Sequence, residues 1–197
     1  QKLNIQLDCL VSSATVTNND CEVRYLQAEQ EHKLTVDKLI VAIGRQPCTD
    51  GVFDPATNLS LDNRGFIEVD GNCLTGEHNV WAIGDSVHGP MLAHKASEEG
   101  MAVAEIISTG HGDIERDVIP WIIYTDPEIA WVGLSELDLK KSERTYSVGL
   151  FPFAATGRAK ALGKTQGFVK ILSDSRNDQI LGIHMIGSHI SELIGES

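Results

Sequence analysis

The sequence has 197 residues, of which 42% are hydrophobic, and its formal net charge is −12 with neutral histidines. This composition is ordinary for a soluble globular α/β protein, and the length fits one large domain or parts of two or three. No apolar run approaches the roughly 18–20 residues of a membrane-spanning helix, and no signal peptide is visible. The acidic charge argues against surfaces that bind nucleic acid or anionic membranes, whereas it suits a basic protein partner.

The cysteines and histidines suggest neither a disulfide framework nor a metal site. The four cysteines are scattered along the chain at Cys9, Cys21, Cys48 and Cys73. Such spacing is typical of buried or incidental thiols in a reducing compartment. The seven histidines form no H-x-x-x-H pair and the cysteines no C-x-x-C pair, so no structural metal site is expected.

The first part of the chain predicts three strands. Residues 4–11 and 21–26 alternate in hydrophobicity, and a turn signal at 18–20 separates them. The continuous apolar stretch at 35–43 predicts a strand covered on both faces, as in a parallel sheet. The following Gly-Arg-Gln-Pro indicates an exit from a domain.

The middle of the chain predicts a strand and then a helix. After a loop-rich stretch with a turn at 62–65, residues 75–85 are typical of a turn that runs into a short buried strand ending on Gly-Asp. Residues 91–108 then have the apolar spacing of a helix, and Gly110 fits its C-terminal end.

The chain after Pro120 predicts an α+β module. Five antiparallel strands are expected at 121–125, 130–133, 146–153, 167–172 and 180–186, with a short helix at 135–141 and renewed helix formation near Ser188. Part of its apolar surface is expected to face a partner or to be left exposed. The residues concerned are Trp121, Ile122, Ile123, Trp131, Phe151 and Phe153.

The end of the strand at 75–85 is the strongest candidate for a ligand site. In an open α/β sheet, ligands bind where strands end. Gly84 would let a ligand approach the backbone, and Asp85 can accept a hydrogen bond from a sugar-like hydroxyl. The helix that opens at Met91 offers free backbone N–H groups to an anion or a polarised carbonyl. The plain structural alternative is a buried strand that ends in an exposed turn aspartate.

Residues 75–85 (TGEHNVWAIGD) resemble the second flavin-binding motif of flavoproteins with two dinucleotide-binding domains. With residues 89–96 (GPMLAHKA) behind it, the match narrows to the dihydrolipoamide dehydrogenase family of the pyridine nucleotide-disulfide oxidoreductases. The resemblance implies that the helix start points at the pyrimidine edge of the flavin ring. The residues that it implies as contacts of FAD are Asp85, Met91, Leu92, Ala93 and His94.

For two of the residues in this segment other interpretations stay open. The contact implied for His94 uses its backbone or the flank of its ring, and the alternative is a first-turn histidine packed on its neighbours. Lys95 is expected to be solvated or salt-bridged.

Residues 43–47 (IGRQP) resemble the family's exit from the NAD-binding domain. The resemblance implies that NAD lies against Gly44, although a glycine required only by the turn is the alternative. Val11 matches a position beside the adenine, and a core valine is the alternative there. A preference for NAD over NADP follows from the resemblance alone.

Residues 124–133 (YTDPEIAWVG) look like the opening of the family's dimerisation domain. The implied fold is α/β with an α+β module. Residues 1–47 would be the end of a Rossmann-like NAD-binding domain, 48–115 the second part of the FAD-binding domain, and 116–197 a truncated dimerisation domain. A homodimer is implied.

The function implied is oxidation of dihydrolipoamide with NAD⁺ through FAD and a redox disulfide. The substrate would be carried by the lipoyl-bearing acyltransferase core of 2-oxo acid dehydrogenase complexes, in the cytoplasm or the mitochondrial matrix. The family's N-terminal G-x-G-x-x-G, its redox Cys-x4-Cys and its active-site histidine segment are absent from these residues. We therefore expect a fragment that has no catalytic residue and is inactive alone. Glutathione or mercuric reductase is an alternative, as is a non-catalytic dimerisation or interaction module.

Overall fold

A computed structural model describes residues 3–54 and 56–196 of the chain. The chain divides into two compact units, Gln1–Arg45 and Gln46–Ser197. Each unit has its own antiparallel sheet, and the second also contains the longest helix.

The first unit is a three-stranded antiparallel sheet in the order β1-β2-β3, formed by β1 (Cys9–Val16), β2 (Cys21–Gln27) and β3 (Gln30–Val36). The central strand β2 buries Cys21 and Val23, as its alternation predicts. The strand predicted at 4–11 begins only at Cys9.

The strand predicted at 35–43 is wrong. Strand β3 ends at Val36, and the side chains of Ile40 and Ile43 are 87% and 94% exposed. An apolar run becomes a strand only where neighbouring strands accept and donate its backbone hydrogen bonds. No parallel strand lies within residues 3–54 and 56–196 to do so.

The second unit begins with loops and turns rather than strands. The predicted turn at 62–65 is present, and the Asp62 carboxylate accepts hydrogen bonds from the backbone N–H groups of Arg64 and Phe66 at 2.7 and 3.0 Å. The buried strand predicted within 75–85 is wrong. Only an isolated bridge joins Leu74 to Trp81, and Ile83 is 37% exposed.

Helix α1 (Ala93–Thr109) confirms the predicted helix. Gly110 follows it in the left-handed conformation, with φ 81°, and donates its backbone N–H to the carbonyl of Ile106 at 2.9 Å. This is the glycine ending that the sequence predicts.

The remainder of the second unit is a five-stranded antiparallel sheet in the order β4-β5-β8-β7-β6. Its strands are β4 (Trp121–Ile123), β5 (Glu128–Gly133), β6 (Tyr146–Pro152), β7 (Phe168–Asp174) and β8 (Ile180–Gly187). All five confirm predicted strands. Helix α2 (Glu136–Lys141) confirms the predicted short helix, and α3 (Gly157–Ala161) was not predicted.

The core of this sheet lies between β5, β8 and the end of the chain. It is formed by Ala130, Val132, Ile183, Met185, Ile190 and Ile194. The helix expected near Ser188 is two short 3₁₀ turns, Ile190–Glu192 and Ile194–Glu196. They bury Ile190 and Ile194 against the sheet, which explains the apolar spacing there.

A buried carboxylate at the end of β7 predicts a pH effect. The Asp174 side chain is buried and accepts hydrogen bonds from the guanidinium groups of Arg176 and Arg144, at 3.0–3.2 Å. The pKa of the Asp174 carboxyl is held far below its ordinary value. The largest cause is the hydrogen bond from the Arg176 side chain, followed by those from the Arg176 backbone N–H and from the Arg144 side chain. A carboxyl whose pKa is lowered by folding stabilises the protein above its unfolded pKa, and the contribution is lost as pH falls.

We therefore expect Asp174→Asn to lower the melting temperature at pH 7 and to flatten its decline between about pH 4 and pH 2. Thermal melts across that pH range test this. The control Asp178→Asn removes a neighbouring exposed carboxylate and should leave the slope unchanged. If the melting temperature of Asp174→Asn falls with pH as steeply as that of wild type, the stabilising role of the Asp174 carboxylate is contradicted.

Candidate functional site

The candidate ligand residue Asp85 lies in a 3₁₀ turn, Gly84–Ser86, instead of at the end of a strand. Gly84 is buried with φ +72°, a conformation that favours glycine. A Cβ atom at Gly84 would lie 3.1 Å from the Cβ of Ala96, so the turn packs directly on α1. Asp85 itself is partly buried.

A buried ion pair on α1 holds this turn. The side chains of Lys95 and Glu99 are each 1% exposed, and Lys95 Nζ lies 3.1 Å from Glu99 Oε1. Lys95 Nζ also donates a hydrogen bond to the carbonyl of Gly84 at 2.9 Å. The Gly84 backbone N–H donates to Glu99 Oε2 at 2.8 Å. Both polar backbone groups of Gly84 are thus bound by side chains of the helix.

The start of α1 is open to an external acceptor. The N-cap residue is Leu92, whose side chain makes no capping hydrogen bond, and the first turn of the helix contains no acidic residue. The first N–H groups of a helix have no partner within the helix, and they carry the positive end of its dipole. Met91 and Leu92 are partly buried here, whereas Ala93 and His94 are exposed.

The ring of His94 is hydrogen-bonded to the backbone just before β4. Its Nε2 atom lies 2.7 Å from the carbonyl oxygen of Pro120, which the imidazole contacts as a donor. This hydrogen bond uses only the ring of His94, so it does not involve the backbone N–H of His94 in the first turn of α1. A flavin contact by the backbone or the ring flank remains a prediction.

The two candidate NAD residues belong to the first unit. Gly44 has φ +123°, and a Cβ there would meet nothing within 4 Å. Its conformation alone accounts for the glycine, and it lies outside any strand. Val11 is 58% exposed and sits near the start of β1 opposite Tyr25. Contact of either residue with NAD stays a prediction.

The predicted apolar surface after Pro120 is partly wrong. Ile122 and Phe153 pack against the core instead of facing outward, because β4 and the turn after β6 direct them inward. Trp121 stacks on Trp131 with ring centroids 5.6 Å apart. The exposed apolar members are Trp121, Ile123 and Phe151, at 38%, 44% and 52%.

Three further features bear on the type of site. Within residues 3–54 and 56–196, no group of three His, Cys, Asp or Glu side chains is arranged to bind a metal ion. No helix in that part of the chain is long and apolar enough to cross a membrane. A polar cavity of about 290 Å³ is lined by residues 126–127, 163–166 and Ser188, and none of the candidate flavin residues lines it.

Known protein families account for nearly all of the chain. Residues 1–100 match the model of the pyridine nucleotide-disulphide oxidoreductases. Residues 119–197 match the model of the dimerisation domain of the same proteins. The second match covers the whole five-stranded sheet described above.

Individual relatives agree with these matches. A dihydrolipoyl dehydrogenase of Cupriavidus necator is 48% identical over the whole chain, and the match covers 42% of that relative. A mitochondrial dihydrolipoyl dehydrogenase of Caenorhabditis elegans is 41% identical over 89% of the chain and 36% of its own length. The chain therefore spans about 42% of the length of the first of these relatives.

Solved structures show the same architecture. The HOCl-induced flavoprotein disulfide reductase RclA of Escherichia coli aligns with a TM-score of 0.82 and 25% identity, over 95% of this chain and 42% of RclA. LpdA of Mycobacterium tuberculosis aligns with a TM-score of 0.83. These likenesses confirm the predicted fold class, α/β with an α+β module. The chain belongs to the pyridine nucleotide-disulphide oxidoreductase family.

Proposed function

We propose that the full protein is a dihydrolipoyl dehydrogenase that uses FAD and NAD⁺. The observation that carries the proposal is the open start of α1 beside the Gly84–Ser86 turn. The amino-acid sequence of this segment resembles the flavin site of these enzymes. The 48% identity to a dihydrolipoyl dehydrogenase over the whole chain supports the same activity. Glutathione and mercuric reductase activities are less favoured, because the relatives named above are dihydrolipoyl dehydrogenases.

The donors and acceptors present fit a flavin. The Asp85 carboxylate can accept a hydrogen bond from a hydroxyl of the sugar-like chain of FAD. The uncapped N–H groups at Ala93 and His94 can donate to the oxygen and nitrogen atoms of the pyrimidine edge, where the helix dipole favours negative charge by roughly 0.3–2 kcal/mol. Met91 and Leu92 offer partly buried apolar flanks. Bound FAD would supply the redox chemistry between a protein disulfide and NAD⁺.

The proposed organisation places NAD in the first part of the chain. Residues 1–47 would complete the NAD-binding domain, with Gly44 and Val11 beside the nucleotide. Residues 48–115 would complete the FAD-binding domain, and residues 116–197 would belong to the dimerisation domain. The redox cysteine pair and the catalytic base are not among these 197 residues, so catalysis requires the full protein.

The proposed partners follow from the same activity. The substrate would be dihydrolipoamide on the acyltransferase core of a 2-oxo acid dehydrogenase complex. The protein would act as a homodimer, in the cytoplasm or in the mitochondrial matrix.

Formation of NADH from dihydrolipoamide and NAD⁺ by the full protein tests the proposed function. We expect turnover that depends on FAD and on dihydrolipoamide. Two parallel assays should test the reduction of glutathione disulfide and of Hg²⁺ by NADPH. A third should test the oxidation of dihydrolipoamide with NADP⁺ in place of NAD⁺. Faster reduction of glutathione disulfide or Hg²⁺ than oxidation of dihydrolipoamide would replace the proposed substrate class. Absence of all these activities in the FAD-loaded protein would refute the enzyme.

The edge strand β6 predicts where a homodimer would form. Phe151 is 52% exposed on one face of the strand, and Val148 and Leu150, on the opposite face, are 48% and 59% exposed. An exposed apolar edge strand is a surface for a partner or for aggregation. We expect Phe151→Glu to weaken the dimer by roughly 30-fold or more, as for a central aromatic contact.

Sedimentation equilibrium of the full protein measures this effect. The matched control Leu137→Glu introduces the same charge at a residue of α2 that is 61% exposed, and its dimer should be unchanged. A Phe151→Glu dimer as tight as that of wild type would place the interface elsewhere.

A further inference from the structure

Lys95 and Glu99 lie outside the set of residues expected to contact FAD, yet they bind the backbone next to Asp85. We infer that these two side chains are positioning residues for the flavin site. They fix the Gly84–Asp85 turn against α1, so that the Asp85 carboxylate and the N–H groups of the helix start meet one ligand. The inference rests on the proposed function and deepens it.

The hydrogen bonds of Gly84 carry the first step of the argument. A buried backbone N–H and C=O must each find a partner, and an ordinary strand end finds them in neighbouring strands. Gly84 is buried but lies in no strand, and in the described part of the chain the segment just before it forms no more than an isolated bridge at Trp81. Glu99 accepts from its N–H and Lys95 donates to its carbonyl. These side chains therefore hold the Gly84 end of the turn, while the backbone N–H of Ile67, which donates to the Ser86 carbonyl at 2.8 Å, holds its other end.

Lys95 also contacts the other end of the loop that follows Asp85. Gly89 has φ +131°, and a Cβ there would lie 3.1 Å from Lys95 Cε. The lysine stem thus packs against the chain just before Pro90, which leads into α1. One side chain holds both ends of the segment between Asp85 and the helix start. The two groups proposed to bind FAD are therefore held in a fixed relation.

Stability alone does not account for the pair. Removing two charges from water is costly, and replacing a buried ion pair by apolar residues of similar size is often neutral or stabilising. Lys95 and Glu99 are each only 1% exposed. Among the described atoms, Glu99 Oε1 forms the ion pair with the ammonium and accepts no hydrogen bond from any other group. A geometric role explains why charges occupy positions that leucine and methionine could fill.

Two neutral double variants separate positioning from stability. Lys95→Met with Glu99→Gln removes both charges but leaves an amide oxygen that can accept from the Gly84 N–H. Lys95→Met with Glu99→Leu removes both charges and that acceptor as well. The measurements are the FAD dissociation constant of the apo-protein by flavin fluorescence, the visible circular dichroism of bound flavin, and the melting temperature of the apo-protein.

We expect the variant with leucine to bind FAD about tenfold or more weakly than the variant with glutamine. Its flavin dichroism should change, while its melting temperature falls only modestly, because the gain from removing two buried charges offsets much of the cost of leaving the Gly84 N–H and C=O unpaired. A third variant, Glu99→Asp, keeps both charges but shortens the reach to Gly84 by one methylene, and it should weaken FAD binding as well.

Equal FAD affinities in wild type and the leucine variant would overturn the inference. Losses of affinity that follow the melting temperature across all three variants would also overturn it, because they would indicate a purely structural role. A wild-type protein that binds no FAD would instead refute the proposed function itself. Tight wild-type binding with unchanged variants would refute only the positioning role.

Discussion

Replacing Glu99 alone by leucine is expected to lower the free energy of unfolding by about 3–5 kcal/mol. The substitution leaves the Lys95 ammonium buried, 1% exposed, without its carboxylate partner. It also leaves the buried N–H of Gly84 without its acceptor. Loss of one member of a buried pair costs far more than loss of both, because the remaining charge stays out of water.

Thermal and denaturant unfolding of the full protein measure this loss. The control Glu98→Leu makes the same chemical change at the preceding, exposed residue of α1, where we expect a change within about 0.5 kcal/mol. Adding Lys95→Met to Glu99→Leu should restore most of the stability. A single variant as stable as the double variant would mean that the ammonium of Lys95 is not buried as described.

The second large effect is expected at the flavin. Asp85→Ala removes the carboxylate that follows the Gly84 turn, and we expect FAD affinity to fall roughly 10- to 150-fold. The reason is that a hydrogen bond between a hydroxyl and a carboxylate contributes about 1.5–3 kcal/mol. Equilibrium dialysis of the apo-protein against FAD measures the change.

Two variants control for indirect effects at Asp85. Asp50→Ala removes an exposed carboxylate in the same unit and should leave FAD affinity unchanged. Asp85→Asn keeps one acceptor oxygen without the charge, so its affinity should lie between those of wild type and Asp85→Ala. An Asp85→Ala protein that retains FAD as wild type does would remove Asp85 from the site.

The parts of the fold that the sequence predicts well are those determined by local patterns. Strands β6, β7 and β8 have alternating or apolar runs bounded by turn residues, and each was predicted within two residues of its ends. Helix α1 has a helical apolar spacing and ends at Gly110, whose left-handed φ needs no tertiary contact.

The failures arise where tertiary contacts decide. The apolar run at 35–43 has no strand beside it in the described residues, and Ile40 and Ile43 are exposed. Strand β3 is polar in sequence, with the letters QEHKLTV, and becomes a strand because β2 pairs with it along its whole length. Ile122 and Phe153 turn inward to pack against the core that β5, β8 and the final turns form together, and no local pattern contains that packing.

The sequence identifies the candidate residues of the site, but not the contacts that hold them in place. The motif around Asp85 and the helix start at 91–94 are visible in the sequence. Lys95 and Glu99 are spaced one helical turn apart, which ordinarily indicates an exposed ion pair. Only the structure places both in the interior, because their burial depends on the Gly84 turn that covers them.

A crystal structure of the FAD-loaded full protein tests the central claim most directly. We predict that a carboxylate oxygen of Asp85 lies about 2.6–3.2 Å from a hydroxyl of FAD. The backbone N–H groups at the start of α1 should point at the pyrimidine edge of the flavin. FAD bound elsewhere, with Asp85 and the start of α1 exposed to solvent, would contradict the account.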